Sequence, residues 1–214
     1  MLVCWSVGGG VGTSVVVAGL ALAAARHDEA SLVVDLGGDQ PTLFGVPEPD
    51  TPGLAGWLRA GAEVPPDALR RLEADLVPGI ALLPRGGGDL GAQRAGALGC
   101  GLADDDRFVV VDAGCVAAGS AAEGLVLGAD RTLLVTRACP VALRRLAHLP
   151  VRPEGVVVVR DRRRSVAWHE IAEVSGAPVL AELDVDPAIG VAVDAGLANR
   201  PLPRTFLRVL GGLR

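Results

Sequence analysis

Between an apolar run, Leu2–Val7, and a long alanine-rich run, Val15–Arg26, stands the segment Gly8-Gly9-Gly10-Val11-Gly12-Thr13-Ser14. A buried strand that turns on glycines straight into a helix leaves little choice of architecture. The turn gathers backbone N–H groups, and the new helix aims its positive end at the same point, so the segment reads as an anion cradle. Nucleotide phosphate is the usual occupant, which makes Gly9, Gly10, Val11, Gly12, Thr13 and Ser14 the candidate phosphate-binding residues. Such a loop ordinarily carries a lysine. This chain has none: all 20 of its Lys/Arg positions are arginine.

The rest of the chain is consistent with a sheet covered on both faces. At 214 residues it fits one domain spanning 1–214, with volume for a sizeable core. Half the residues are hydrophobic but only 3% are aromatic and none is tyrosine, so the core must be built from Val, Leu and Ala. A formal net charge of −5 gives no general attraction to nucleic acid or anionic lipid. The four cysteines (Cys4, Cys100, Cys115, Cys139) show no CxxC pairing and lie in apolar surroundings, which predicts buried free thiols in a reducing cytosol. The first 25 residues lack a positive charge ahead of the apolar stretch, and Gly8–Gly10 break it, so they do not read as a signal peptide. Gly, Pro and charges interrupt the other apolar runs, and a cytoplasmic location is expected.

Short Val/Leu-rich runs alternate with helical patterns from end to end. Strands are predicted at Leu2–Val7, Ser31–Asp35, Ile80–Leu83, Phe108–Asp112, Thr132–Thr136, Gly155–Arg160 and Pro178–Leu183. Several are nearly continuous rather than alternating, as expected of strands buried on both faces. Helices are predicted at Thr13–Arg26, Pro66–Glu73, Ala92–Leu102, Ala121–Leu127, Val141–His148, Val166–Ser175 and Pro187–Ala195. A Pro- and Gly-rich excursion, Gly37–Pro66, holds a short helix within Thr51–Ala60. The fold class is therefore α/β, a doubly wound, mostly parallel sheet with helices on both faces.

Taken in order, these features resemble the deviant-Walker P-loop family that includes MinD, ParA and the CpaE/TadZ proteins of pilus assembly. In that family a strand leads into Lys-Gly-Gly-x-Gly-Lys-Ser/Thr and then a helix. Gly8–Ser14 keeps the glycines and the hydroxyl residue and lacks both lysines, with Gly8 and Thr13 in their places. The family's second strand ends in Asp-x-Asp; Asp35 matches the first, the second falls on Gly37, and Asp39 lies two residues on. Its Walker B strand is matched by Phe108–Asp112, and the later Gly128–Thr136 and Pro178–Val193 stretches follow in order. Arg160 stands about where the family has a base-recognising Asn. The resemblance implies ATP or ADP with Mg²⁺, the metal held by Ser14 with help from Asp35 or Asp112. It also implies a homodimer and a protein partner in a pilus, secretion, division or partitioning system.

The departures have physical consequences. Stabilising developing phosphate charge is most of phosphoryl-transfer catalysis, and losing one well-aimed donor costs about two to three orders of magnitude in rate. Gly8 cannot reach a partner's nucleotide as the family's first lysine does, and Arg26 and Arg160, the only conceivable local substitutes, are not placed by the sequence to enter the loop. Two expectations follow: a nucleotide-binding scaffold or pseudo-ATPase for spatial positioning, or a slow ATPase with an unorthodox loop. A dinucleotide-binding unit is excluded because position 13 is not Gly and the chain lacks the Tyr and Lys of short-chain dehydrogenases. His27, His148 and His169 form no ligand spacing, and no G-x-S-x-G elbow is present.

Two further segments carry expectations. Arg160-Asp161-Arg162-Arg163-Arg164 reads as a solvated strand-to-helix connection. The tail Thr205–Arg214 resembles MinD's membrane-targeting segment, with Phe206, Leu207 and Leu210 as membrane-contact candidates on one helical face; a terminal helix docked on the domain has the same pattern.

Overall fold

The computed structural model describes residues 1–61, 68–161 and 166–214. Eight strands form one sheet: β1 (Leu2–Ser6), β2 (Ser31–Asp35), β3 (Ala74–Val77), β4 (Ile80–Leu83), β5 (Phe108–Cys115), β6 (Arg131–Arg137), β7 (Gly155–Arg160) and β8 (Val179–Asp184). Their spatial order is β3-β4-β2-β5-β1-β6-β7-β8, and all pairs are parallel except β3 with β4. The doubly wound α/β class read from the sequence is the one observed.

The inner strands β1, β2, β5 and β6 are buried on both faces, which explains their apolar runs, while the edge strands β3 and β8 alternate with exposed residues. Val3, Trp5, Leu32, Val34, Val109 and Val111 point to one layer, while Leu2, Cys4, Val33 and Val110 point to the other. Helix α1 (Thr13–Ala25) lies in the second layer and is apolar all round, because the sheet covers one side and other helices cover the rest. The short α2 (Gln40–Phe44) follows β2, and α3 (Gly53–Arg59) lies within the predicted Thr51–Ala60 segment. Helices α4 (Ala95–Ala103), α5 (Ala121–Leu127), α6 (Pro140–Leu146), α7 (Trp168–Ser175) and α8 (Pro187–Asp194) agree with prediction to within about three residues at each end.

Strand β3 was not foreseen. It folds back on β4 through Pro78-Gly79, with Gly79 at φ 83°, a Pro-Gly signal that follows only a four-residue run. Of the predicted helix Pro66–Glu73, residues 66 and 67 lie outside the described residues; the described part is a 3-10 turn, Arg70–Leu72. The cysteine expectation also needs correction. Only Cys4 is buried; Cys100 and Cys115 are exposed and Cys139 is half-buried, though all four are free thiols as read. All three histidines are exposed.

The tail forms α9 (Arg204–Gly211), which packs on α1. Phe206, Leu207 and Leu210 are all buried in this contact, so the face offered as a membrane surface is occupied within the chain. Gly19 makes the close approach possible: a methyl group there would lie 2.4 Å from Leu210 Cδ1. Among the described residues no helix is long and apolar enough to cross a membrane.

Candidate nucleotide site

Strand β1 lies centrally, between β5 and β6. The chain leaves β1 through α1 on one face, whereas α5, which follows β5, packs on the other. The carboxyl ends of β1, β2 and β5 therefore open into a crevice, the usual ligand position of an open α/β sheet. A cavity of about 410 Å³ occupies it, lined by the whole Gly8–Val15 segment with Ser6, Gly37, Asp39, Thr42, Leu43, Gly114 and Cys115.

The loop is held by its own backbone. Gly10 (φ 70°) and Gly12 (φ 101°) occupy left-handed conformations that side chains disfavour. Gly12 is also the N-cap of α1, with no side-chain cap and no acidic residue in the first turn. The amides that open this 13-residue helix thus lack a side-chain acceptor. Beside them, the Thr13 hydroxyl is buried and finds no partner among the described residues. Ser6, at the end of β1, ties the loop to β5: its hydroxyl reaches the carbonyls of Gly8 (3.2 Å) and Gly114 (3.1 Å).

Asp35, the last residue of β2, pairs with Asp112, three residues before the end of β5, which runs on past the predicted Asp112 to Cys115, and both are fully buried. Asp35 accepts from the amides of Gly38 (2.6 Å) and Gln40 (2.9 Å). Asp112 accepts from Gln40 Nε2 (2.8 Å) and the Gly114 amide (3.1 Å), and it is hydrogen-bonded to the Ser14 hydroxyl. Burial, reinforced by the Asp112 charge, pushes Asp35 up to about 7. Burial likewise raises Asp112, against its hydrogen bonds to Ser14, Gln40 and Gly114. Burial pushes the Cys4 thiol up as well, which keeps it neutral.

Gln40 is the residue that sequence reasoning missed. It is fully buried at the start of α2, its amide nitrogen also donates to the Ser14 carbonyl (3.1 Å), and its Oε1 has no partner among the described residues. Pro41 directly after it marks a helix start, but no motif singles out the glutamine. Gly37 lies beside the same two carboxylates. A methyl group there would make only ordinary contacts, 3.5 Å from Asp35 Oδ1 and 3.6 Å from Asp112, so a side chain at this position would stand beside both carboxylates.

A second hollow of about 260 Å³ adjoins the loop at Val11, Gly12 and Val15, with Val159, Leu183 and Pro187 among its walls. Arg160 does not reach the loop: its guanidinium pairs with Glu182 (3.3 Å) and Asp184 (3.1 Å). Arg26 lies beyond the far end of α1. Residues 162–164 of the basic run lie outside the described residues.

The residues present fit a phosphate group. Free helix-opening amides and the unpartnered Thr13 hydroxyl supply donors. For Mg²⁺, Ser14 and Asp112 offer hard oxygen atoms on the same side of the loop. No cluster of three His, Cys, Asp or Glu among the described residues could hold a metal, so a cation here would need phosphate oxygens to complete its shell.

A family model described as cellulose biosynthesis protein BcsQ matches residues 1–115, from β1 to the last residue of β5. No curated protein matches the chain significantly in sequence. Among solved structures, the chain is similar to the septum site-determining protein MinD of Pyrococcus horikoshii OT3, solved with Mg-ADP. The identity is 19% over all of this chain and 96% of that one, with a TM-score of 0.76. The ParA family ATPase of Chlorobium tepidum TLS is 18% identical over 99% of this chain and 96% of its own, with a TM-score of 0.75. The Pyrococcus furiosus cell division ATPase MinD is 22% identical over 100% and 98%, with a TM-score of 0.74. With more than half its length matched by one family model and its whole length laid out on the MinD/ParA-like P-loop NTPase fold, the chain belongs to the family of the cellulose biosynthesis protein BcsQ.

Proposed function

We propose that this chain is a nucleotide-binding scaffold that helps position a cell-envelope assembly, and that it binds ATP or ADP with Mg²⁺ without efficient hydrolysis. One observation carries the reading: a phosphate loop whose backbone donors are intact stands beside two buried carboxylates held by Gln40 and loop amides, with no lysine at Gly8 or Thr13. Phosphate would sit on the amides of Gly9–Ser14, Mg²⁺ would be held by Ser14 with Asp112 or Asp35, and the base would enter the 260 Å³ hollow. Absent lysines remove the charge that most accelerates phosphoryl transfer, while amide donors and a helix end still favour binding. The family description favours a cellulose-producing machine over the pilus suggested by the CpaE/TadZ resemblance. By analogy with its relatives the working form is a homodimer with a protein partner.

A slow ATPase is the second reading, favoured by the retention of Asp35 and Asp112 at paired positions of β2 and β5. Binding of mant-ADP and mant-ATP with Mg²⁺, alongside phosphate release over hours, tests both. The scaffold reading expects saturable binding with release at background. Steady turnover abolished by Asp112→Ala would establish the second reading, and no binding at millimolar nucleotide would refute both.

A further inference from the structure

The loop's first glycine has no conformational reason to be one. Gly10 and Gly12 sit at positive φ, whereas Gly8 and Gly9 do not. Gly9 is exposed with open space where a side chain would stand. Gly8 is different: it is buried, although Gly9 and Gly10 beside it are exposed. The space its side chain would fill belongs to Arg145. A methyl group on Gly8 would lie 1.9 Å from Arg145 Nη1 and 3.0 Å from Cζ, so the guanidinium rests over the Gly8 α-carbon.

Topology brings this arginine to the loop. Strand β6 pairs directly with β1, and α6 begins three residues after β6 ends, so α6 runs beside the loop on the face opposite α1. Arg145 is in the last turn of α6. Arg85 and Arg160 are engaged, Arg85 donating to the carbonyls of Leu36 and Gly88 and Arg160 pairing with Glu182 and Asp184, while Arg137 lines the adjoining 260 Å³ hollow and has no atom among those nearest Gly8. The Arg145 guanidinium has no hydrogen bond or ion pair among the described residues. An unneutralised cation is thus parked against a backbone whose neighbouring amides lack acceptors.

We propose that Arg145 supplies the positive charge of this phosphate loop, and that position 8 is glycine in order to admit it. The inference rests on the nucleotide-binding reading above. Arginine suits the role because its planar fork can donate two hydrogen bonds to one phosphate, a geometry that a lysine ammonium lacks. Because Gly8 has an ordinary φ, Gly8→Ala is tolerated by the backbone and acts by displacing the guanidinium.

The test is mant-ADP binding with Mg²⁺ to the purified full chain, at two salt concentrations. Arg145→Gln should weaken binding roughly tenfold or more, the loss expected for one charge-assisted hydrogen bond, and flatten its salt dependence. Gly8→Ala should weaken it in the same direction. The double variant should be no weaker than Arg145→Gln alone, since both changes remove one interaction. Arg145→Lys should recover part of the affinity, and Arg144→Gln, one residue away on the same helix, should bind within about twofold of wild type. Unchanged thermal midpoints exclude a folding effect. Wild type that binds while Arg145→Gln binds equally overturns this inference alone; wild type that binds nothing overturns it together with the nucleotide reading.

Discussion

Replacing Asp35 by Asn should make the protein more stable at alkaline pH, and the gain should depend on pH in a stated way. Asp35 is fully buried, and its carboxyl is pushed from an ordinary 3.8 to about 7 by burial and by Asp112. The folded chain therefore holds this proton where the unfolded chain releases it. Below about pH 4 both forms are protonated and nothing is lost. Between about pH 4 and pH 7 the native state binds more protons, so stability falls as pH rises, and above about pH 7 the full cost is present. A difference of that size corresponds to roughly 4 kcal/mol. Asparagine copies the shape of the protonated carboxyl but offers one good acceptor to the two amides of Gly38 and Gln40, which returns about 1–2 kcal/mol. The net expectation for Asp35→Asn is a loss of about 1–2 kcal/mol at pH 4 that turns into roughly 2–3 kcal/mol of added stability at pH 8. Urea melts of both proteins from pH 4 to pH 8.5 read the change at the coupled Asp35–Asp112 pair, because titrating groups remote from it cancel in the difference. A gap that does not change with pH, or a variant less stable than wild type at pH 8, would refute the reasoning.

Two other substitutions probe what holds the site and its support. Leu210→Ala should cost about 2–5 kcal/mol in a urea melt, because Leu210 is fully buried where α9 meets Gly19 of α1. Gln40→Leu should cost about 2–3 kcal/mol at pH 8, since it leaves Asp112 without a 2.8 Å donor, and the loss should shrink in acid as that carboxylate is protonated.

How legible the fold was varied with the kind of signal. Strands β2, β4 and β7 and helix α5 were read to the residue, because buried parallel strands are unbroken apolar runs bounded by turns. β3 escaped because an edge strand of four residues, Ala-Asp-Leu-Val, has no such run and is defined by its partner. The tail's amphipathic pattern was correct as a pattern but had two readings, and packing against Gly19 chose the internal one. At the site, the glycines, Ser14, Asp35 and Asp112 could be named because they occupy fixed offsets from strand ends. Gln40 and Arg145 could not. Their contacts cross 72 and 137 residues of chain, and they arise where α2 and α6 meet the crevice rather than from local spacing.

The absent lysines are easier to understand beside the aspartates than alone. A lysine in the loop would have offset the charges of Asp35 and Asp112; here neutral donors from Gln40, Gly38 and Gly114 do so. Neutral hydrogen bonds hold a buried carboxylate in its charged form less firmly than a cation does, which is consistent with the raised proton affinity of both groups. A site that has lost positive charge has therefore also lost part of its negative charge near neutral pH. An approaching phosphate meets open amides and a partly protonated carboxylate pair, and the balance of attraction shifts less than a count of missing lysines implies. The same protonation removes a charged group that could bind Mg²⁺ or accept a proton from water. Binding and turnover thus separate for one electrostatic reason, and raising the pH from 6 to 8.5 should strengthen any Mg²⁺ dependence of nucleotide binding as Asp35 becomes charged.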